Sequence, residues 1–158
     1  MKHSVCLAVL GVCVQVLSGC SGESNAQSPS PESQFVQLNQ GLRTENAVPT
    51  KTQTKVISTQ ADYAAELVNY TSATPASVDF TKGKILLVDM GPRPSSGYSI
   101  GVASVDVADA WVVANVELVK PGGPMCGVLT VETNPWQFVF IPTLKEILLS
   151  EKVVVHSC

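Results

Sequence analysis

The sequence predicts a mainly β (α+β) domain, an antiparallel β-sandwich or partly open barrel with one N-terminal helix. After Val78, short apolar segments recur at turn-bounded intervals of about a dozen residues, which is typical of such folds. Residues 84–102 predict a strand, a turn with two prolines and two glycines, and a second strand. Helical spacing of apolar residues is clearest over residues 59–70, and the chain has no internal repeat.

The first 19 residues have the pattern of a secretory signal peptide. Lys2 precedes an apolar run from Val5 to Leu17, and the segment contains no acidic residue. The run is too short to span a bilayer, so a signal peptide at residues 1–19 is the better interpretation.

Leu17-Ser18-Gly19-Cys20 resembles the lipobox of bacterial lipoproteins. The resemblance implies that Cys20 becomes the lipidated N-terminus and holds the protein in the bacterial cell envelope without a membrane-spanning helix. By resemblance to the sorting rule of such lipoproteins, Ser21 in place of Asp after this cysteine favours the outer membrane, with either a periplasmic or a surface-exposed orientation. The alternative is an ordinary buried cysteine near the start of the chain.

Residues 20–54 are predicted to form a disordered tether that follows the lipidated cysteine. The segment from Ser21 is rich in Ser, Gln and Pro and has no aromatic residue before Phe35. Such a composition buries too little apolar surface to offset its chain entropy. The β domain would then occupy residues 55–158, although Phe35, Val36, Leu38 and Leu42 could dock on it as a short segment.

The domain is expected to open with a strand at residues 55–57 and a helix from Gln60 to Asn69. Thr59 and Asp62 form a capping box at the start of that helix. Tyr63, Leu67 and Tyr70 recur at helical spacing. We interpret this stripe as core packing, with a ligand-facing surface as the alternative.

The remaining apolar segments predict strands. The uninterrupted run from Ile85 to Val88 suits a strand buried on both faces. Tyr98 to Val102 alternate, and the apolar face switches parity near Ser104, which predicts a β-bulge. Trp111 to Leu118 alternate as a half-buried strand. Further strands are expected at 128–132, 136–141 and 152–156, with one or two helical turns near 143–148.

Cys126 and Cys158 are predicted to form a disulfide bond. Cys6 and Cys13 leave with the signal peptide and Cys20 carries lipid, so an even pair remains in an oxidising compartment. In the chain-entropy model a loop of about 33 residues gives roughly 3–4 kcal/mol of stabilisation. Two separate thiols are the alternative.

The residue inventory argues against an enzyme. After the signal peptide, His156 is the one histidine, and no nucleophile-elbow or phosphate-binding glycine motif occurs. Cys126, His156 and Cys158 lack the spacing of a zinc site. We therefore predict no catalytic residue, metal ion or cofactor.

The charge distribution argues against nucleic-acid binding. Loss of residues 1–19 removes Lys2, so the 10 basic residues become 9 against 13 acidic ones, and the net charge becomes −4. These charges are scattered, without a basic stripe.

What remains is protein recognition by loops that prolines and glycines stiffen, with Arg93 held out between two prolines. The predicted partner-binding residues carry either a stiff turn or a side chain common in hot spots. They are Arg93, Pro94, Ser95, Ser96, Gly97, Tyr98, Met125 and Trp136. The alternative is that these prolines and glycines only shape turns. For the ring of Tyr98 we favour a position in the core over one at the sheet edge.

Gly91-Pro-Arg-Pro-Ser-Ser-Gly-Tyr98 resembles the C-terminal domain of the PrcB family of protease-complex subunits. That family has a Gly-x-Arg-Pro-Thr-Gly-Gly-Tyr turn between strands, then a Pro-Gly loop with cysteine and a Pro-aromatic segment. Residues 120–126 and 134–136 stand in those places, and the resemblance covers roughly residues 55–158. Ser95-Ser96 depart from the favoured Thr-Gly. The resemblance implies a non-catalytic accessory subunit of a secreted or surface protease.

Pro94 to Tyr98 also resemble the Asn-Pro-Thr-Thr-Gly-Tyr loop of chagasin-type cysteine-protease inhibitors. Arg93 stands where that motif has Asn, the Arg-Pro-Trp loop is absent, and residues 134–136 echo it only in part. Protease inhibition is therefore the alternative function. A structural envelope protein without a protease partner is a third.

Overall fold

A computed structural model describes residues 34–46, 51–123 and 126–156. Backbone contacts place all of them in one compact unit. In chain order the elements are β1 (Val36–Gly41), β2 (Gln53–Ile57), α1 (Gln60–Tyr70), β3 (Lys84–Asp89), β4 (Ser99–Val107), β5 (Trp111–Pro121), β6 (Trp136–Ile141) and β7 (Glu146–His156).

The strands form two sheets. The first has the order β1-β6-β3-β2 and is antiparallel throughout. The second has the order β4-β5-β7, in which β4 and β5 are antiparallel and β5 and β7 are parallel. The predicted class, a mainly β sandwich with one helix, is confirmed, although one strand pair departs from the antiparallel expectation.

Two apolar clusters hold the layers together, one on each face of the four-stranded sheet. The sandwich cluster lies between the sheets and includes Leu86, Val88, Val102, Val116 and Val139. The helix cluster lies between that sheet and α1, and consists of Ile57, Tyr63, Leu67, Tyr70, Ile85, Leu87, Trp136 and Phe138. The alternate residues of β3 divide between the clusters, as the uninterrupted apolar run predicted.

Several local predictions are also confirmed. α1 begins after Thr59, whose Oγ1 accepts a hydrogen bond from Asp62 N at 3.1 Å, as the capping box predicts. The Asp62 carboxylate accepts from Thr59 Oγ1 at 2.7 Å, where a capping box would have it accept from a backbone N–H. The tyrosine–leucine stripe of α1 is buried in the core. The β4–β5 register shifts between Val102 and Ser104, where a bulge was expected.

The predicted boundary at residue 55 is wrong, because two strands lie wholly or partly in the predicted tether. β1 pairs with β6, and β2 begins at Gln53. Phe35 packs against the sandwich cluster and Leu38 against the helix cluster. These two apolar side chains and the backbone pairing with β6 order residues that composition alone places in a tether. The predicted signal peptide and Cys20 lie outside the described residues.

Two further predictions near the C-terminus are wrong. Residues 146–156 form one strand, so the predicted helical turns near 143–148 do not occur. Thr143 Oγ1 accepts from Lys145 N at 3.1 Å in a local turn, and β5 then pairs along the whole of β7. Residues 128–132 form no strand, and an isolated bridge between Arg93 and Thr133 takes its place.

Candidate functional site

The site begins at the end of β3, where the chain turns from one sheet to the other. Gly91 and Gly97 bracket this turn with positive φ angles of 72° and 89°. An added Cβ at Gly91 would lie 2.7 Å from the backbone carbon of Lys51. Both the angle and the close approach therefore require glycine at residue 91.

Asp89 holds the start of the turn. It is fully buried, and its Oδ1 accepts from Gly91 N at 2.8 Å and from Asn134 Nδ2 at 2.9 Å. Its Oδ2 accepts from Tyr70 Oη at 2.8 Å and from Gln53 Nε2 at 3.4 Å. A buried carboxylate needs such donors, so this cluster links β2, α1 and the chain before β6 to the turn.

The phenol of Tyr70 serves as a donor in this cluster over the ordinary pH range. Burial, and then the hydrogen bond and charge of Asp89, raise the pKa of Tyr70 well above its usual value. Its proton therefore stays in place and points to Asp89. This arrangement is structural, because it consumes the hydrogen-bonding capacity of the carboxylate.

Arg93 lies in the turn with its side chain folded back onto the domain, not held out as predicted. Its N donates to Thr133 O at 2.7 Å, and Thr133 N donates to Arg93 O at 2.9 Å. The guanidinium Nη2 donates to Met90 O and, at 3.1 Å, to Thr52 Oγ1. The reason is that β3 ends at Asp89, so the following Met90 carbonyl can accept from a charged donor.

Ser95 and Ser96 are half-buried, and polar contacts hold them to the chain around residues 129–133. Ser95 O accepts from Thr133 Oγ1 at 3.0 Å. Ser96 N donates to Leu129 O at 2.9 Å, while Ser96 Oγ accepts from Leu129 N at 2.8 Å. Ser95, through its backbone carbonyl, and Ser96 thus attach the turn to this segment.

The exposed part of the turn is small. Pro94 and Gly97 are exposed, whereas Tyr98 is half-buried against the sandwich cluster and 6.0 Å from Arg93 Cζ. The favoured core position of the Tyr98 ring is therefore consistent with the structure. Of the predicted turn residues, Pro94 and Gly97 offer the freest surface to a partner.

Trp136 is a core residue, so the prediction that it lies on a binding loop is wrong. It is 4% exposed, and its ring centroid lies 5.2 Å from that of Tyr70. Its Nε1 donates to Arg43 O at 2.8 Å. The reason is that Trp136 is the first residue of β6 and faces the helix cluster. Met125 lies outside the described residues.

A cleft of about 330 Å³ lies beside the turn at this end of the sandwich. Its lining comes from the end of β1, the start of β4 and the start of β6. Leu42, Ser99, Ile100 and the edge of Trp136 are among its residues. Leu42 is 56% exposed, which makes it the most accessible apolar side chain of the group.

We call the exposed residues Leu42, Pro94, Gly97 and Ser99 the tip surface. It combines a fixed turn with an apolar cleft, an arrangement suited to binding another protein. Two buried atoms beneath it, Arg93 Nε and Asn134 Oδ1, have no hydrogen-bond partner among the described residues. One donor and one acceptor at the base of the turn are therefore not satisfied by the described residues.

Cys126 is buried, and its Sγ lies 3.9 Å from His156 O at the end of β7. Cys158 follows two residues later and lies outside the described residues. The disulfide between Cys126 and Cys158 stays a prediction, and the approach of β7 to Cys126 is compatible with it.

Across the described part of the chain, His, Cys, Asp and Glu form no group of three or more that could hold a metal ion. Within residues 34–46, 51–123 and 126–156, no helix has the length and apolar character needed to cross a membrane.

Sequence reasoning missed the residues that hold the turn, namely Asp89, Asn134, Thr133 and Tyr70. One signal was available: Asp89 ends an otherwise apolar strand and precedes Met90-Gly91. A buried acid in that position needs hydrogen-bond donors, but the sequence does not show which distant elements supply them.

Comparison of the chain with known protein families, with curated proteins and with solved structures gave no match. The resemblance to the PrcB family, which covers roughly residues 55–158, therefore depends on this sequence alone.

Proposed function

We propose that this protein is a non-catalytic, lipid-anchored envelope protein that serves as the accessory or binding subunit of a secreted or surface protease. The tip surface would contact the protease, and Cys20 would hold the protein at the membrane. The observation that carries the proposal is the turn itself, which ends in an exposed tip and is fixed at its base by the buried Asp89 cluster.

The energetic reason for such a turn is preorganisation. A loop that is already held in one conformation loses little entropy on binding, so a small exposed surface gives more affinity. The hydrogen bonds of Arg93, Ser95 and Ser96 to residues 129–133 supply that restraint. The apolar cleft next to Leu42 would accept a side chain of the partner.

The proposal is tested by affinity capture of the full chain from solubilised envelopes, followed by identification of bound proteins. The tip variants are Leu42→Glu and Pro94→Glu, which alter exposed side chains and leave the Asp89 cluster in place. The matched control is Leu144→Glu, because Leu144 is 64% exposed and lies in the β6–β7 loop at the other end of β3 and β6.

We expect the wild type and Leu144→Glu to capture the same protease, and both tip variants to lose at least about tenfold of it. Thermal unfolding must show that all four proteins fold. Equal recovery of the same partners by all four would contradict the tip surface. Capture of envelope proteins other than proteases would contradict the protease assignment.

A further inference from the structure

β7 has an apolar surface that the described domain leaves uncovered. It is the last strand of the three-stranded sheet, and no described strand pairs with its outer edge. Leu149, Val153 and Val155 are 38%, 60% and 52% exposed. Long exposed apolar edge strands tend to pair with further strands, so natural proteins usually cover or interrupt them.

The register with β5 assigns the faces of β7. Val112, Ala114 and Val116 of β5 point into the sandwich cluster and pair with Ile147, Leu149 and Glu151. Odd-numbered residues of β7 therefore lie on the inner face of the sheet, and even-numbered residues lie on the outer face. Beyond Ile147, which packs on the sandwich cluster, the inner face of β7 has no such covering layer.

We infer that β7 pairs antiparallel with β7 of a second copy about a two-fold axis at Glu151. Each copy would then extend the sheet of the other, giving the order β4-β5-β7-β7-β5-β4. The assembly is closed, because the β7 edge of each copy pairs with the β7 edge of the other and neither remains available to a third copy. The inference is independent of the tip surface, which contains no residue of β7.

The sequence of β7 selects this register. Facing residues of antiparallel strands lie on the same face of the sheet. A two-fold axis normal to the sheet passes between one residue and its own copy, so the numbers of any two facing residues add to an even total. An axis at Glu151 makes every apolar residue of β7 face another apolar residue. The apolar facing pairs are Ile147 with Val155, Leu148 with Val154, and Leu149 with Val153.

The polar residues follow the same symmetry. Glu146 at one end of β7 faces His156 at the other, and Ser150 faces Lys152. An axis at Ser150 would place Leu149 against Glu151, and an axis at Lys152 would set two lysines against each other. The one unfavourable pair at the chosen axis is Glu151 against itself.

That pair also explains why the strand would not promote unlimited association. An inward-pointing charge is a common device against indiscriminate strand pairing. Here the Glu151 pair keeps the dimer weak, with a dissociation constant on the order of micromolar.

The first test is disulfide trapping in envelopes that contain the full chain. A cysteine at residue 151 would lie opposite its own copy, within the Cα separation of about 4.4–6.8 Å that a disulfide allows. A cysteine at residue 150 or 152 would be displaced from its own copy by two residues, beyond about 7 Å. Mild oxidation should therefore give a cross-linked dimer with Glu151→Cys and little with Ser150→Cys or Lys152→Cys.

The parent protein controls for its own cysteines. Strong trapping of Ser150→Cys or Lys152→Cys in place of Glu151→Cys would overturn the register. Equal trapping at all three residues would indicate random collision and overturn the pairing. Trapping of Glu151→Cys to a different protein would show that another occupant fills the edge.

The second test measures mass for the detergent-solubilised full chain by sedimentation equilibrium. The wild type should be in monomer–dimer equilibrium, and Leu149→Lys should be monomeric. Leu144→Lys is the matched control, since Leu144 is exposed, precedes β7 and lacks a facing partner. Glu151→Gln should tighten the dimer about 1.5- to fivefold, because it removes one like-charge pair.

A wild type that stays monomeric at about 100 µM, far above a micromolar dissociation constant, would overturn the inference. So would equal loss of the dimer in Leu144→Lys. Thermal unfolding at low concentration confirms that Leu149→Lys is folded, so that a monomeric result reports lost pairing.

Discussion

β6 and β7 are both apolar strands, yet the fold treats them in opposite ways. β6 pairs with β1 on one edge and β3 on the other, and five of its six residues are buried. Among the described strands, β7 pairs only with β5, and most of its residues are exposed. Burial here follows from position between layers. α1 covers one face of β6 and the second sheet covers the other, whereas most of β7, at the edge of the second sheet, has no covering layer. Apart from Ile147, the apolar residues of β7 therefore contribute little to the core of one copy.

The largest effect is expected from Phe138→Ala in β6. Phe138 is fully buried, and its ring lies 5.7 Å from Tyr63, 5.3 Å from Tyr70 and 5.8 Å from Trp136 by centroid. Removing it should lower the free energy of unfolding by about 3–5 kcal/mol. Urea unfolding of the full chain measures this, with Phe138→Leu as the milder control. A loss below about 1 kcal/mol would contradict the role given to β6.

Asp89→Ala should come next, at about 3 kcal/mol. The substitution leaves Tyr70 Oη, Asn134 Nδ2 and Gly91 N buried without their acceptor. The control is Asp109→Ala, because Asp109 is exposed in the β4–β5 turn. Urea unfolding should separate the two variants clearly. Equal losses of unfolding free energy would show that the Asp89 cluster does not stabilise β3 and β6, the strands covered on both faces.

The same contrast shows which features a sequence predicts. The uninterrupted run of β3 and the capping box of Thr59 act within a few residues, so their structure was predictable. Trp136 became a core residue because α1 covers β6, and Arg93 turned inward because Thr52 and the Met90 carbonyl lie beside it. Those causes join distant segments of the chain.

β7 shows the same limit for secondary structure. Residues 143–146 match both a helix cap and a short polar turn, and local pattern alone cannot choose between them. The parallel pairing with β5 decides it, and that pairing joins residues more than 30 positions apart. The local pattern therefore predicts helical turns near residues 143–148 and a short strand at 152–156, where the chain forms one strand.

Alkaline pH should lower the free energy of unfolding over a defined pH range, through Tyr70 of the helix cluster. The pKa of folded Tyr70 is raised, so its contribution is fully present below the ordinary tyrosine pKa of about 10. It is lost as the pH rises above that value, because unfolded tyrosine ionises while folded Tyr70 keeps its proton. Thermal unfolding between pH 9 and pH 11 should show this decline.

Tyr70→Phe is the matched variant for that window. It keeps the ring in the helix cluster but removes the ionisable group, so its decline with pH should be shallower than that of the wild type. Some decline should remain, since burial also raises the pKa of Tyr63. An identical pH profile in both proteins would contradict the assignment to Tyr70.

Thr59→Ala should cost about 1 kcal/mol of unfolding free energy. Thr59 Oγ1 accepts from Asp62 N, one of the unpaired donors of the first helical turn. Thr59→Ser keeps that acceptor and should remain near the wild type in urea unfolding. If Ser and Ala lose the same amount, the cap does not help α1 to cover β6.

The smallest effect is expected from Val153→Ala in β7, within about 0.5 kcal/mol for the dilute monomer. Val153 is 60% exposed, so truncation removes little buried surface and opens no cavity. Urea unfolding at low and high protein concentration separates the two roles of this residue. A loss above about 1.5 kcal/mol at low concentration would show that β7 belongs to the monomer core and would remove the contrast with β6. A loss that emerges only at high concentration is what strand pairing requires, because Val153 then contributes to stability only when a second copy covers it.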